Sequence, residues 1–227
     1  LKGFPPQDAD KQADADRYGG PFDYVKSELY EIGFKTEWFN KRLNATLSVY
    51  KIKQENSLEQ SPRTGKPDWR VPVDEESNGF EVDIVGRILS HWSIVANYAY
   101  TDARIVKLKE EGRLKDLNLQ RPSTPRNAAN LWTKYIVQGG KLDGLGIGVG
   151  VNYVGERLGQ VGRRATAATY PDYTLLNAVL YYKVKDVQLQ LNVNNLLNRT
   201  YWISGYDNLR NFPSAPRNVN ATVTYQF

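Results

Sequence analysis

Cysteine and methionine are absent from this 227-residue chain, and histidine occurs once. Without cysteine there is no disulfide scaffold, no thiol nucleophile and no thiolate-held metal. A single histidine cannot build a histidine cluster for a metal, and it leaves little room for a nucleophilic relay. Long apolar runs are missing too, so no segment reads as a membrane-spanning helix. Charge of one sign is also lacking: 30 Lys and Arg against 25 Asp and Glu give +5, spread too evenly for a nucleic-acid footprint. What the chain does have is aromatic side chains, 15 Tyr, 5 Trp and 7 Phe in a sequence only 41% hydrophobic. Many aromatics on a polar average fit a membrane β-barrel, whose strands turn one face to lipid and the other to a polar lumen.

Period-2 alternation runs along most of the chain. At the C-terminus Val219, Ala221, Val223, Tyr225 and Phe227 alternate with Asn218, Asn220, Thr222, Thr224 and Gln226. Val187, Leu189, Leu191 and Val193 alternate with Gln188, Gln190, Asn192 and Asn194, and Leu145, Ile147, Val149, Val151 and Tyr153 with Gly146, Gly148, Gly150 and Asn152. The same pattern places Tyr30, Ile32 and Phe34, Leu43 to Val49, Phe80 to Ile84, and Trp92 to Tyr100 on apolar faces. Two segments, Asn127–Val137 and Tyr173–Val184, carry apolar residues on both parities. The reading is about nine strands, each near the 9–11 residues that cross a bilayer at a tilt, with the apolar face outward.

Connections alternate in length. Short turns fall near Asn40–Arg42, Ser90–His91, Gln138–Asp143 and Lys185–Asp186, and long polar segments at Glu55–Asn78, Ile105–Thr124, Glu156–Thr169 and Ser204–Ala215. Short turns toward the periplasm and long loops outside are the outer-membrane arrangement. Trp38, Phe39, Trp92, Tyr225 and Phe227 gather at the short-turn ends and Tyr30, Tyr100, Tyr153 and Tyr201 at the long-loop ends, as two interfacial girdles. An odd strand count cannot close an up-and-down barrel, since open edges in lipid leave backbone groups unpaired. The expectation is an all-β, antiparallel, transmembrane up-and-down barrel of which this chain is the C-terminal portion, residues 1–26 an extracellular loop and 27–227 strands and loops.

Seven stretches, in this order and spacing, resemble TonB-dependent outer-membrane receptors: Ser27 to Trp38, Arg42 to Tyr50, Asn78 to Arg87, Trp92 to Asp102, Pro125-Arg126 leading to Leu131-Trp132, Leu191 to Tyr201, and Pro216 to Phe227. The Pro-Arg that opens the last strand is more similar to the ferric-siderophore branch than to the cobalamin, haem or glycan branches. The resemblance implies a 22-stranded barrel blocked by a plug that this chain does not contain. It also implies an outer-membrane transporter rather than an enzyme, with no cofactor, iron entering only within a siderophore. The partners implied are the ferric siderophore, the TonB complex through the missing N-terminal part, the plug and remaining strands, and lipopolysaccharide or lipid. A passive channel or structural barrel is the alternative.

A rim that receives an anionic chelate needs Arg and amphipathic aromatics. Candidates are Trp69 and Arg70 in Glu55–Asn78, Arg157, Arg163 and Arg164 in Glu156–Thr169, Tyr173 and Trp202 by lumenal parity, and Tyr206 and Arg210 in the last loop. Glu31, Lys35, Glu37, Glu81, Asp83 and Arg87 fall on the lumen face, either as ion-pair contacts to a plug or as solvated wall charges. Lys107, Lys109, Arg113 and Lys115 offer cations to lipopolysaccharide phosphates, diluted by Glu110, Glu111 and Asp116. His91 reads as a turn residue at the end away from the rim. Asp8, Asp10, Asp14 and Asp16 lack the glycine turn of a calcium loop and read as a solvated segment.

Overall fold

A computed structural model describes residues 2–3, 11, 13–60, 66, 68–110, 113–159, 168–205 and 210–227. In chain order the elements are β1 (Lys2–Gly3), α1 (Ala15–Tyr18), β2 (Lys26–Trp38), β3 (Leu43–Gln60), β4 (Arg70–Leu89), β5 (Trp92–Glu110), β6 (Arg113–Gln120), β7 (Asn127–Ile136) and β8 (Leu145–Val154). They continue with β9 (Arg157–Leu158), β10 (Thr169–Tyr170), β11 (Tyr173–Val184), β12 (Val187–Asn194), β13 (Trp202–Gly205), β14 (Asn211–Pro213) and β15 (Asn218–Tyr225). One sheet joins β1-β2-β3-β4-β5-β7-β8-β11-β12-β15 in that order, with β6 paired to the outer part of β5. Every pairing is antiparallel, and nine of these strands form the expected wall.

The register brings the apolar parity of every wall strand onto one face. Phe34, Leu47, Val82, Tyr98, Ala129 and Tyr153 pair in one continuous row, and Ala45, Ile84, Ala96, Leu131, Val151 and Leu176 in the next. Cross-strand neighbours of this kind stabilise a sheet pairwise, and a one-residue slip would turn every row to the wrong side. In these rows Phe34 is 65% exposed, Leu47 and Leu131 are exposed too, and the other members are half-buried between their neighbours. Among the described residues the buried apolar side chains lie off these rows: Val71, Val73, Ala103 and Ile105 near the outer ends of β4 and β5, Phe22 and Val25 just before β2, Tyr170 in β10, and Val179 on the opposite face of β11.

The ambiguous strands are resolved by their neighbour. Ala129, Leu131, Thr133 and Tyr135 of β7 and the even residues of β11 from Thr174 to Val184 join the lipid-facing rows. Trp132 and Val179 face the other way, onto Gly148 and Gly150 of β8. A Cβ on Gly150 would stand 2.4 Å from the Trp132 ring, and one on Gly148 would stand 2.6 Å from Val179. Apolar side chains on the inner parity thus pack over glycine rather than point at lipid, and Val179 is only 3% exposed.

The four short turns lie where expected, with Phe39, Asn40, Lys41 and Lys185 at positive φ. The long segments differ from expectation. β3, β4 and β5 run 18, 20 and 19 residues, about 60 Å at strand rise, twice the hydrocarbon thickness of about 30 Å. Most of Glu55–Asn78 is therefore strand, and Ile105–Thr124 is largely a β5–β6 hairpin whose Lys109 is paired to Asp74 at 2.8 Å. Val71, Val73, Ala103 and Ile105 are buried there, but charges on both parities, Asp74 and Glu75 on β4 and Arg104 and Lys107 on β5, leave the apolar runs too short for alternation to mark them. Nor are residues 1–26 simply a loop. Gly3 pairs with Ser27, and Asp14 caps a single helical turn by accepting from Arg17 N at 3.1 Å. Arg17 donates through Nε to Asp68 at 2.8 Å, a bond that holds its guanidinium above the ordinary arginine value.

Among the described residues the far side of β2 is paired only through Lys2–Gly3, and nothing pairs the far side of β15. Residues 1–227 expressed alone should therefore form no closed monomeric barrel, because open edges are excluded from lipid. Gel mobility before and after boiling, in detergent, measures this. A heat-modifiable compact band would show that the sheet closes on itself.

Candidate functional site

Glu31, Lys35, Glu37, Glu81, Asp83 and Arg87 all share the face opposite the apolar rows and are all exposed. Glu37 lies 3.8 Å from Lys41. Among the described residues, no salt bridge involves the other five. Alternation puts them there, since β2 and β4 keep period 2 through these positions. Farther round, the inner wall changes from charges to amides. Asn130 donates to Asn97 at 2.8 Å and Asn177 to Asn152 at 2.8 Å, with Asn152 bonded to Asn130 between them. Asn194 donates to Asn218 at 2.9 Å and Gln190 to Asn192 at 2.9 Å. Neutral amides satisfy one another without the desolvation cost of fixed charge.

Outside the wall, two small hairpins, β9–β10 and β13–β14, meet around Arg157. Its side chain was a rim candidate, yet the residue is 5% exposed. Nη2 donates to the backbone oxygens of Trp202 at 2.5 Å and Ile203 at 3.0 Å. The guanidinium lies 5.5 Å from the ring centres of both Tyr170 and Tyr173, within cation–π range. Tyr170 donates its hydroxyl to Asn211 Oδ1 at 2.5 Å, with Gly205 beneath it because a Cβ there would stand 1.8 Å from that oxygen. Tyr201 sets its ring 4.2 Å from Tyr173, so it belongs to this cluster and not to the lipid belt. Asn195 anchors the base of the last loop: its side chain accepts from Arg199 N at 2.9 Å and donates to Arg199 O at 2.8 Å. The connection before β7 joins as well, through Ser123 N to Leu158 O at 2.7 Å.

Of the nine rim candidates, Arg157, Tyr173 and Trp202 are brought together, Trp202 through its backbone in β13 rather than by lumenal parity. Trp69 and Arg70 sit apart in the chain of contacts, Trp69 against Gly19 of the N-terminal segment and Arg70 opposite Gln60. Arg210 precedes β14 and is exposed. Arg163, Arg164 and Tyr206 lie outside the described residues. Tyr170, Tyr201 and Asn211 were not candidates. The only sequence signal for them was aromatic or amide character in a long connection. His91 stands in the β4–β5 turn with Ser90 Oγ 3.2 Å from Nδ1 and its ring edge-on to Tyr135 at 4.9 Å. Asp14 is a helix cap, and Asp8 and Asp10 lie outside the described residues. Among the described residues, no cluster of three His, Cys, Asp or Glu side chains is placed to hold a metal ion.

Residues 2–196 match the family model described as TonB dependent receptor-like, beta-barrel. The chain is 30% identical over 218 residues to the metal-pseudopaline receptor CntO of Pseudomonas aeruginosa strain UCBPP-PA14, covering 93% of this chain and 29% of that protein. It is 32% identical over 193 residues to the probable TonB-dependent siderophore receptor PiuA of Acinetobacter baumannii, covering 81% of this chain and 24% of that protein. The crystal structure of PiuA matches with a TM-score of 0.77 at 28% identity, over 92% of this chain and 30% of that one. The ferripyoverdine receptor of the Pseudomonas aeruginosa outer membrane matches in fold with a TM-score of 0.78 at 22% identity, over 100% of this chain and 30% of that one. The chain thus spans under a third of the length of the curated relatives it matches.

Proposed function

Because the chain belongs to the TonB-dependent receptor β-barrel family, we propose that it is the C-terminal part of the barrel of an outer-membrane receptor for TonB-dependent uptake of ferric siderophores. The observation that carries this is the wall itself: apolar rows outside, charges and amides inside, and arginine–aromatic hairpins above. Relatives named as receptors for pyoverdine, ferrioxamine B and catecholate siderophores support uptake over a passive channel. The family consists of receptors and transporters rather than enzymes, and iron here is cargo within the chelate. Glu31, Lys35, Glu81, Asp83 and Arg87, which form no salt bridge among the described residues, await the counter-charges of a plug. TonB engages through residues outside this chain. Lipopolysaccharide phosphates meet the basic groups on the wall's outer ends, Lys107 among them.

The test is radioiron uptake by the full-length receptor in cells stripped of their own ferric-chelate receptors. Uptake should appear with a functional TonB complex and vanish without it, and uptake that persists without TonB would make the protein a passive channel. Ligand contact by the outer loop is tested by replacing Arg163 and Arg164 together with Ala. A charge-assisted bond to carboxylate, hydroxamate or catecholate oxygen contributes roughly 1.5–3 kcal/mol, so losing both should weaken binding at least about tenfold. An unchanged Kd on purified receptor would remove these two arginines from the site.

A further inference from the structure

We propose that Arg157 is a positioning residue, not a ligand contact: it fixes Tyr201 against Tyr173 and so sets the surface that the outer loops offer to a ferric chelate. This rests on the uptake reading for its ligand but not for its geometry. One guanidinium reaches two other segments of the chain, residues 170–173 and 202–203. Nη2 is shared by two successive carbonyls, of Trp202 and Ile203, 45 and 46 residues along the chain. Those carbonyls immediately follow Tyr201, so the bonds hold the backbone that carries its ring. The planar cation also lies against Tyr170 at the end of β10 and Tyr173 at the start of β11. Tyr173 is therefore contacted by Arg157 and by Tyr201 alike.

Burial argues against direct contact with a ligand. The residue is 5% exposed, and Nη1 is closed off from solvent without a hydrogen-bond partner. A guanidinium tolerates this because it is weakly hydrated, and its fork can bridge adjacent carbonyls while its face meets a ring. An ammonium could keep a position near the rings but could not reproduce the planar fork. Tyr170 completes the arrangement from the opposite hairpin, through its bond to Asn211 and its seat on Gly205. Both hairpins are thus tied by two independent links, and only the Arg157 link runs directly to the residues beside Tyr201.

The experiment uses the full-length receptor with Arg157→Ala, Arg157→Lys, Tyr201→Ala and the Arg157→Ala/Tyr201→Ala double variant, with barrel content checked for each. Amide hydrogen exchange without ligand reads the geometry. In Arg157→Ala, amides of 202–205 should exchange at least about tenfold faster while those of β11 and β12 stay unchanged, with Arg157→Lys intermediate. Unchanged exchange at 202–205 overturns the proposal, and Arg157→Lys decides the same point should the alanine variant fail to accumulate. Binding of ferrioxamine B and of ferric pyoverdine reads the consequence. Where the parent binds either probe, Arg157→Ala should weaken it severalfold and the double variant should be no weaker than Tyr201→Ala alone, since one residue acts through the other. Independent, multiplying losses would make Arg157 a contact in its own right and overturn the proposal. A parent that binds neither probe counts against the siderophore reading, while the exchange result still decides the role of Arg157.

Discussion

Leu191→Lys in the full-length receptor should cost about 2–4 kcal/mol of barrel stability, whereas Gln190→Lys, one residue away, should leave the barrel folded. Leu191 lies in the middle of β12, pairs with Leu180 and Ala221, and is 42% exposed on the lipid-facing side. An ammonium there has no water within reach at mid-bilayer depth, and its stem is too short to reach either interface without distorting the strand. Gln190 pairs with Tyr181 and Thr222 on the opposite face, where its amide already bonds to Asn192 at 2.9 Å. A cation at that position meets a polar lumen. Urea-induced unfolding of both variants in lipid vesicles measures the difference. Equal loss for the two would mean that these two faces of β12 do not separate lipid from lumen, and a larger loss for Gln190→Lys would mean that the wall is turned inside out.

Gly150→Val should cost about 1–3 kcal/mol, the range for overpacking a well-filled site. The β8 inner face carries Gly146, Gly148 and Gly150 in alternation, and the Trp132 ring lies across the last two. With a Cβ only 2.4 Å from that ring, the indole must leave its seat, and it has Val179 beside it to disturb. Trp132→Ala removes the obstacle at the cost of its own packing. The double variant should therefore lose much less than the two single losses added together, because both substitutions empty and fill the same space. Unfolding midpoints for the two singles and the double give the coupling. Additive losses would place the Trp132 ring elsewhere than over β8.

How much of this was legible in the sequence follows from where alternation exists. Period 2 is visible only when a strand separates two different environments, here lipid and a polar lumen. That is why β2, β8, β12 and β15 read cleanly and why the four short turns lie where the residue pattern puts them. β7 and β11 read poorly because their inner parity is apolar too: Trp132 and Val179 fill space that glycine vacates on β8, and a gap on one strand leaves no mark on the sequence of its neighbour. The outer halves of β3, β4 and β5 read as loops because charged residues fall on both parities there and interrupt the short buried pairs Val71 and Val73, and Ala103 and Ile105. There the backbone pairing between neighbouring strands, including that of β5 with β6, holds the structure alongside a hydrophobic signature only two residues long on each of β4 and β5.

The candidate site divides along the same line. The face of Glu31, Lys35, Glu37, Glu81, Asp83 and Arg87 was fixed by position within an alternating strand, so residue identity and parity were enough. The surroundings of Arg157 were not accessible in that way. Its carbonyl partners lie 45 and 46 residues distant, on a hairpin too short to carry a period, and a lone arginine in a polar connection looks the same whether it will face solvent or be buried. Sequence by itself determined the wall: nine strands, which face meets lipid, and where the chain reverses. Tertiary structure alone decided which loop residues meet, because burial in a loop arises from pairing between distant segments and leaves no local pattern to read.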